Sequence, residues 1–135
     1  NSSMQLILDP NQFDVILNIL SPFNYQEFSR VIKKDGILIK VLPGDDYLKE
    51  LRKILFKETK GEDYSNKETI EHFSQNYKII HRQKINYEIS LNQEELRHLI
   101  KMTPLTWNLE QDRLNRVLKE GINKITAQFK LLIGV

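Results

Sequence analysis

The side chains that could do chemistry in this sequence are few. Cysteine is absent, so no thiol nucleophile, disulfide or thiolate zinc site can be built. His72, His81 and His98 lie far apart in the sequence, with no His-x-x-x-His pair; no metal site is expected. Two places remain. Asn18, Leu20, Ser21 and Pro22 end an apolar run, where polar groups at a strand terminus can meet a ligand or merely close the strand and start a helix. Met102, Thr103 and Pro104, with Trp107 just after, put an indole beside a helix break. An exposed indole can stack on a splayed base, worth about 1–3 kcal/mol; a buried one fills a core. Lys33, Lys34, Lys49, Arg52, Lys53 and Lys57 could face phosphates or form ordinary solvated helix surface.

Composition limits the chemistry further. The chain has 135 residues, 40% of them hydrophobic, enough for one domain with a real core. Net charge is +2, with 20 basic residues interspersed among 18 acidic ones. That balance is too mild to argue for nucleic acid by itself. No apolar run approaches the roughly 18 residues of a membrane span, and no signal peptide is visible, so a cytoplasmic protein without membrane contact is expected. The first residue is Asn rather than Met, which points to a segment of a longer chain.

The elements that must position these residues alternate. Phe13 to Leu20 is a short apolar run without alternation, ended by Ser21-Pro22, as expected of a strand buried on both faces of a parallel sheet. Asn24 with Glu27 is a helix start, and Tyr25, Phe28, Val31 and Ile32 share a helical face that should end near Asp35-Gly36. Gly36 to Leu42 is a second apolar strand, closed by Pro43-Gly44. Strand, helix and strand in this order make a βαβ unit.

Asp45 or Asp46 can cap a helix carrying Leu48, Leu51 and Leu55. Lys57 to Tyr64 is a charged loop, and Ser65 to Glu68 reads as a capping box for a helix with Ile70 and Phe73 inward. Tyr77 to Ile89 reads as a strand, bent near His81-Arg82. Asn92 with Glu95 starts a helix that Met102-Thr103-Pro104 breaks, and Asn108 caps the next. Ile125 to Ile133 alternates with mostly polar residues, as in a half-exposed antiparallel strand at a sheet edge. No internal repeat or low-complexity segment interrupts the pattern. The apolar strand at 13–20 lacks an evident neighbour on its N-terminal side, an association hazard unless another segment or a second copy covers it.

Three stretches carry a family resemblance. Phe13 to Pro22 resembles the fourth strand of class I S-adenosylmethionine-dependent methyltransferases, and its Ser-Pro ending resembles the large-subunit rRNA guanine-N1 subgroup. Glu27-Phe28-Ser29-Arg30-Val31-Ile32-Lys33-Lys34-Asp35-Gly36, running into Val41-Leu42-Pro43, looks like the superfamily segment leading into the fifth strand. Leu99 to Pro104, followed by Trp107, is similar to the "L-x-x-M-T-P" signature of the subgroup, and Asp46 to Leu51 resembles its "H-L-x-E-L" stretch. Tyr47 stands where the subgroup usually has His, Leu105 where an aromatic or His is common, and Asp35 replaces the first Gly of a usual pair.

The resemblance implies the C-terminal half of a Rossmann-like α/β fold: a single partial domain over 1–135, with a mixed sheet of about four strands and helices on both faces. It implies S-adenosylmethionine as cofactor and rRNA as partner of the full-length enzyme. Ser2 and Ser3 correspond to the adenine-contacting segment, and Asn18 and Leu20 to the cofactor-facing strand end. Ser21, Pro22, Met102, Thr103, Pro104 and Trp107 would line the substrate side; the resemblance gives no catalytic base. The Gly-rich cofactor loop, the acidic ribose-binding residue and the family's four-cysteine zinc module are all absent from this sequence. The fragment alone is expected neither to bind cofactor tightly nor to catalyse. Two alternatives stand beside this reading: a methyltransferase of another RNA or a small molecule, and a non-catalytic module that homodimerises through the strand at 13–20.

Overall fold

The computed structural model describes residues 7–56, 65–107 and 110–135. Among them, β1 (Phe13–Ile19), β2 (Ile32–Pro43), β3 (Ile79–Ser90) and β4 (Lys124–Gly134) form one sheet in the order β1-β2-β4-β3. The helices are α1 (Tyr25–Val31), α2 (Lys49–Leu55), α3 (Lys67–Asn76), α4 (Gln93–Met102) and α5 (Gln111–Lys119), with a 3-10 turn at Pro104–Thr106. β1 pairs parallel with β2, and β2 pairs antiparallel with β4. The mixed four-stranded α/β sheet is the one the sequence implies. The expected loop at 57–64, the Asn108 cap, and Ser2 and Ser3 lie outside the described residues.

The chain divides into two compact units: Asn1–Gly44 with Asn66–Ile85 and Phe129–Val135, and Asp45–Ser65 with Asn86–Gln128. In the first unit, β2 buries Gly36, Leu38, Lys40 and Leu42, one face of its pleat. Leu38 and Leu42 join Leu132 of β4, Tyr25 and Phe28 of α1, and Phe73 of α3 and the adjoining Tyr77 in one cluster. Burying each such side chain stabilises by about 1.5–3 kcal/mol. α1 and α3 therefore pack on the same face of this part of the sheet.

β1 departs from expectation. Ile16 and Asn18 turn toward the covered face, while Val15, Leu17 and Ile19 are exposed. The strand is an edge, with β2 as its single neighbour among the described residues, so it is covered on one face instead of two.

α1 starts as the sequence indicates: Asn24 Oδ1 accepts from the Glu27 amide at 3.2 Å. It stops earlier, at Val31, and Ile32 to Asp35 already belong to β2. The cause is pairing: Ile32 lies opposite Phe13, with a register shift before Val15 opposite Ile37. Gly36 serves close packing rather than a left-handed exit. A β-carbon there would sit 2.5 Å from Ile32 Cγ1 and 3.0 Å from the Asp14 carbonyl oxygen. The N-cap of α3, Asn66, makes no side-chain cap bond; its amide donates to the Pro43 carbonyl at 3.0 Å.

The second unit closes around Leu48, Leu51, Leu55, Leu96, Ile100, Val117 and Ile125. α2 is entered through buried Leu48 in the left-handed region (φ 52°), with no side-chain cap, in place of a cap by Asp45 or Asp46. The Leu48 amide donates to the Thr126 carbonyl at 2.9 Å, and this tether fixes the turn. α4 has the expected Asn92 cap, which accepts from the Glu95 amide at 2.8 Å. α5 begins after Glu110. β4 is neither half-exposed nor at the edge. Ile125 to Gln128 are all buried, and the strand lies between β2 and β3.

Candidate functional site

Parallel pairing sets the site's geometry. Ile19 lies opposite Val41, and the Leu20 amide donates to the Val41 carbonyl at 3.0 Å. The carboxyl ends of β1 and β2, with the turns at Ser21-Pro22 and Pro43, therefore share one rim. In open α/β sheets this is the side on which ligands bind. Leu20 leaves the strand with positive φ (48°) and is half-exposed; Ser21 and Pro22 are exposed.

Asn18 organises this rim from inside. It is 2% exposed. Its Nδ2 donates toward Ser21 Oγ at 2.9 Å, the Pro22 carbonyl at 3.0 Å and the Ser21 carbonyl at 3.3 Å. Its Oδ1 accepts from Lys40 Nζ at 2.6 Å. Lys40, directly opposite in the parallel register, is equally buried. Its ammonium lies 4.4 Å from the Phe23 ring centroid and 5.5 Å from that of Tyr25, a cation–π arrangement. Burial lowers the Lys40 pKa to about 8, because desolvation disfavours the charged form.

Aromatic rings back the site. Phe23 stacks on Tyr25 with centroids 4.5 Å apart, and His72 meets both rings edge-on. Burial raises the Tyr25 phenol far above its ordinary value, with Tyr77 nearby adding to the effect. Among the described residues the buried Tyr25 hydroxyl has no hydrogen-bond partner, whereas the Tyr77 hydroxyl meets Ser29 Oγ at 2.8 Å.

The other predicted set lies in the second unit. Met102 ends α4 and is 69% exposed; Trp107 is 67% exposed. The indole is thus presented to solvent instead of filling a core. Thr103 is buried and Pro104 exposed. Thr106, which the sequence reading passed over, holds this segment: its buried hydroxyl donates to the carbonyls of Ile100 and Thr103. A threonine between a helix-ending Pro and a Trp was the available signal, since hydroxyls bond back to nearby carbonyls.

Of the candidate basic residues, Arg52 is interior. It is 4% exposed and clamps the carbonyls of Tyr47 and Asp45. Lys33, Lys34 and Lys53 are exposed. Among the described residues no group of three or more His, Asp or Glu could hold a metal ion. No described helix is long and apolar enough to cross a membrane.

Whether these residues could hold S-adenosylmethionine follows from the same geometry. The Asn18 side chain already bonds Lys40 and the 21–22 turn, and residues 1–35 contain no glycine for a phosphate-type or methionine-binding loop. The chain presents a strand-end wall, and these residues do not make a complete cofactor pocket.

No family model matches the chain. YxjB of Bacillus subtilis (strain 168), provisionally named a 23S rRNA (guanine-N(1)-)-methyltransferase, is 41% identical over 124 residues, covering 92% of this chain and 44% of that protein. The 23S rRNA (guanine(748)-N(1))-methyltransferase of Streptomyces fradiae is 26% identical over 112 residues, covering 82% of this chain and 40% of that one. A Micromonospora griseorubida protein with a provisional name of the same kind is 30% identical over 123 residues, covering 87% and 40%. Among solved structures, YcgJ of Bacillus subtilis is 18% identical with TM-score 0.52, covering 96% of this chain and 66% of that chain. A provisionally named methyltransferase of Bacillus halodurans C-125 is 11% identical with TM-score 0.54, covering 96% and 67%. These structures support the fold alone. The chain spans about two fifths of the length of its curated relatives, and over that span its sequence is similar to proteins named 23S rRNA (guanine-N1) methyltransferases.

Proposed function

We propose that this chain supplies the target-facing part of an rRNA guanine-N1 methyltransferase. The carrying observation is the rim: Ser21 and Pro22 are exposed at the carboxyl ends of two parallel strands, with their backbone held from beneath by Asn18. When bound, S-adenosylmethionine supplies an electrophilic methyl group on a sulfonium. The chain's own contribution is positioning, since methyl transfer needs the attacking nitrogen in line with that group. In this reading the Asn18–Leu20 strand end faces the cofactor, and Ser21 and Pro22 face the base. Met102, Thr103, Pro104 and Trp107 form a second RNA-contacting segment, where exposed Trp107 can stack on a nucleobase. Guanine N1 must also lose a proton, and among the described residues no side chain stands out as its acceptor.

The test uses the intact natural protein that contains this sequence, with S-adenosylmethionine and unmodified 23S rRNA. Nucleoside mass spectrometry should detect 1-methylguanine. Absence of both methyl transfer and calorimetric cofactor binding would overturn the reading. Methylation of another RNA or a small molecule instead would keep the reaction and replace the substrate. The 135-residue chain alone is expected to be inactive.

A second reading is favoured by one observation. β1 is a sheet edge whose Val15, Leu17 and Ile19 are 46%, 63% and 52% exposed. Such an edge invites a further strand, and self-association of this chain through it would make a homodimer. Light scattering decides this: dimers support it, and a monomer at high concentration removes it.

A further inference from the structure

Lys40 occupies an inward position of β2, between Leu38 and Leu42, where an aliphatic residue would pack without a desolvation cost. Among the described residues no carboxylate forms an ion pair with it; its ammonium meets Asn18 Oδ1 and the rings of Phe23 and Tyr25. That contact is directional. An ammonium only donates, whereas a side-chain amide accepts at one end and donates at the other. With Lys40 on one side, the Asn18 oxygen must face it. The Nδ2 group must then face away, toward the oxygens of Ser21 and Pro22. Were the amide reversed, Lys40 would confront a second donor, and the turn would lose all three of these contacts. Buried polar chains of this kind fix a single arrangement when every member is satisfied.

We propose that Lys40 is a positioning residue of the methyl-transfer site, acting through Asn18 to lock the Ser21–Pro22 turn on the strand-end rim. The inference rests on the reading of that rim given under the proposed function. Lys40 touches neither base nor cofactor in this scheme. It sets which way an amide points, and the amide sets where the Ser21 hydroxyl and the two carbonyls stand.

Two measurements separate this scheme from its foundation. In the first, NMR of this chain compares the native sequence with Lys40→Met, which keeps the length of the side chain and removes the donor. The expected result is faster exchange of the Asn18 side-chain amide protons and shifted Ser21 and Pro22 carbonyl resonances. An unchanged Asn18 amide and unchanged carbonyls would overturn the lock while leaving the rim reading intact. If Lys40→Met does not fold, Asn18→Asp keeps an acceptor for Lys40 and removes the donors to the turn; the carbonyl shifts must then appear in that variant, or the lock is wrong. In the second, the intact methyltransferase carrying Lys40→Met is assayed on rRNA with kcat and KM resolved. Positioning predicts a fall in kcat of about tenfold to a hundredfold that exceeds any change in the KM for S-adenosylmethionine. A displaced turn with an unaltered kcat would show that the rim does not orient the base, which overturns the positioning role and the reading beneath it. Failure of the unmodified enzyme to methylate at all would remove the foundation and with it the positioning role, leaving the Lys40–Asn18 lock to be decided by the NMR comparison.

Discussion

Glu50 accepts two hydrogen bonds from Thr126, one from its backbone amide at 2.8 Å and one from its hydroxyl at 2.6 Å. The carboxylate thereby links the first turn of α2 to β4 inside the second unit. Partial burial opposes its charge, but the Thr126 bonds, its own backbone amide and nearby Lys49 outweigh that, and its pKa is lowered. A lowered carboxylate contributes stability that is present above the unfolded-state value and is lost as pH falls through the folded-state value. Glu50→Ala should cost about 1–3 kcal/mol in urea unfolding at neutral pH. The difference from the native chain should shrink as the buffer is acidified below the ordinary glutamate range.

Gly36→Ala should destabilise the first unit. Its β-carbon would press on Ile32 Cγ1 and on the carbonyls of Asp14 and Lys33. Two of these three neighbours are backbone, so relief requires moving the β1–β2 ladder. Overpacking of this kind costs about 1–3 kcal/mol, to be read as a lower midpoint in thermal unfolding. An unchanged midpoint would mean that the ladder has slack at this point.

Tyr25→Phe should be neutral or stabilising by about 1 kcal/mol. The hydroxyl it removes is buried without a partner among the described residues, and the ring contacts with Phe23, Phe28, Phe73 and Tyr77 remain. A large loss in calorimetric stability would mean that the phenol has a polar partner in solution.

Leu17→Lys should leave the fold intact and suppress association. The side chain is 63% exposed on the outer face of an edge strand, and charge on an edge is the usual device against strand addition. Circular dichroism should be unchanged. Any concentration-dependent increase in mass seen by light scattering for the native chain should disappear.

The sequence made much of the scaffold legible. The short apolar runs marked β1 and β2, and Asn24 and Asn92 each stood three residues before a glutamate, as helix caps do. The end of α1 was not legible. Ile32 continues the helical face of Tyr25, Phe28 and Val31, yet a long-range pairing with Phe13 takes it into the strand. Helix periodicity cannot report a partner that distant. The interior position of β4 was hidden for a related reason, since chain order does not encode sheet order. At the site, Asn18 was read from its place at a strand end. Lys40 was missed because β2 looked uniformly apolar; its phase with Gly36, Leu38 and Leu42 was the clue that this one charge is buried.

The strand order has a temporal consequence. β4 follows β3 in the chain but lies between it and β2, so during synthesis β3 waits for a partner that has not yet left the ribosome. Joining segments so far apart in sequence slows folding, and until residues 124–134 arrive, β3 is a strand that a chaperone or another nascent chain can reach.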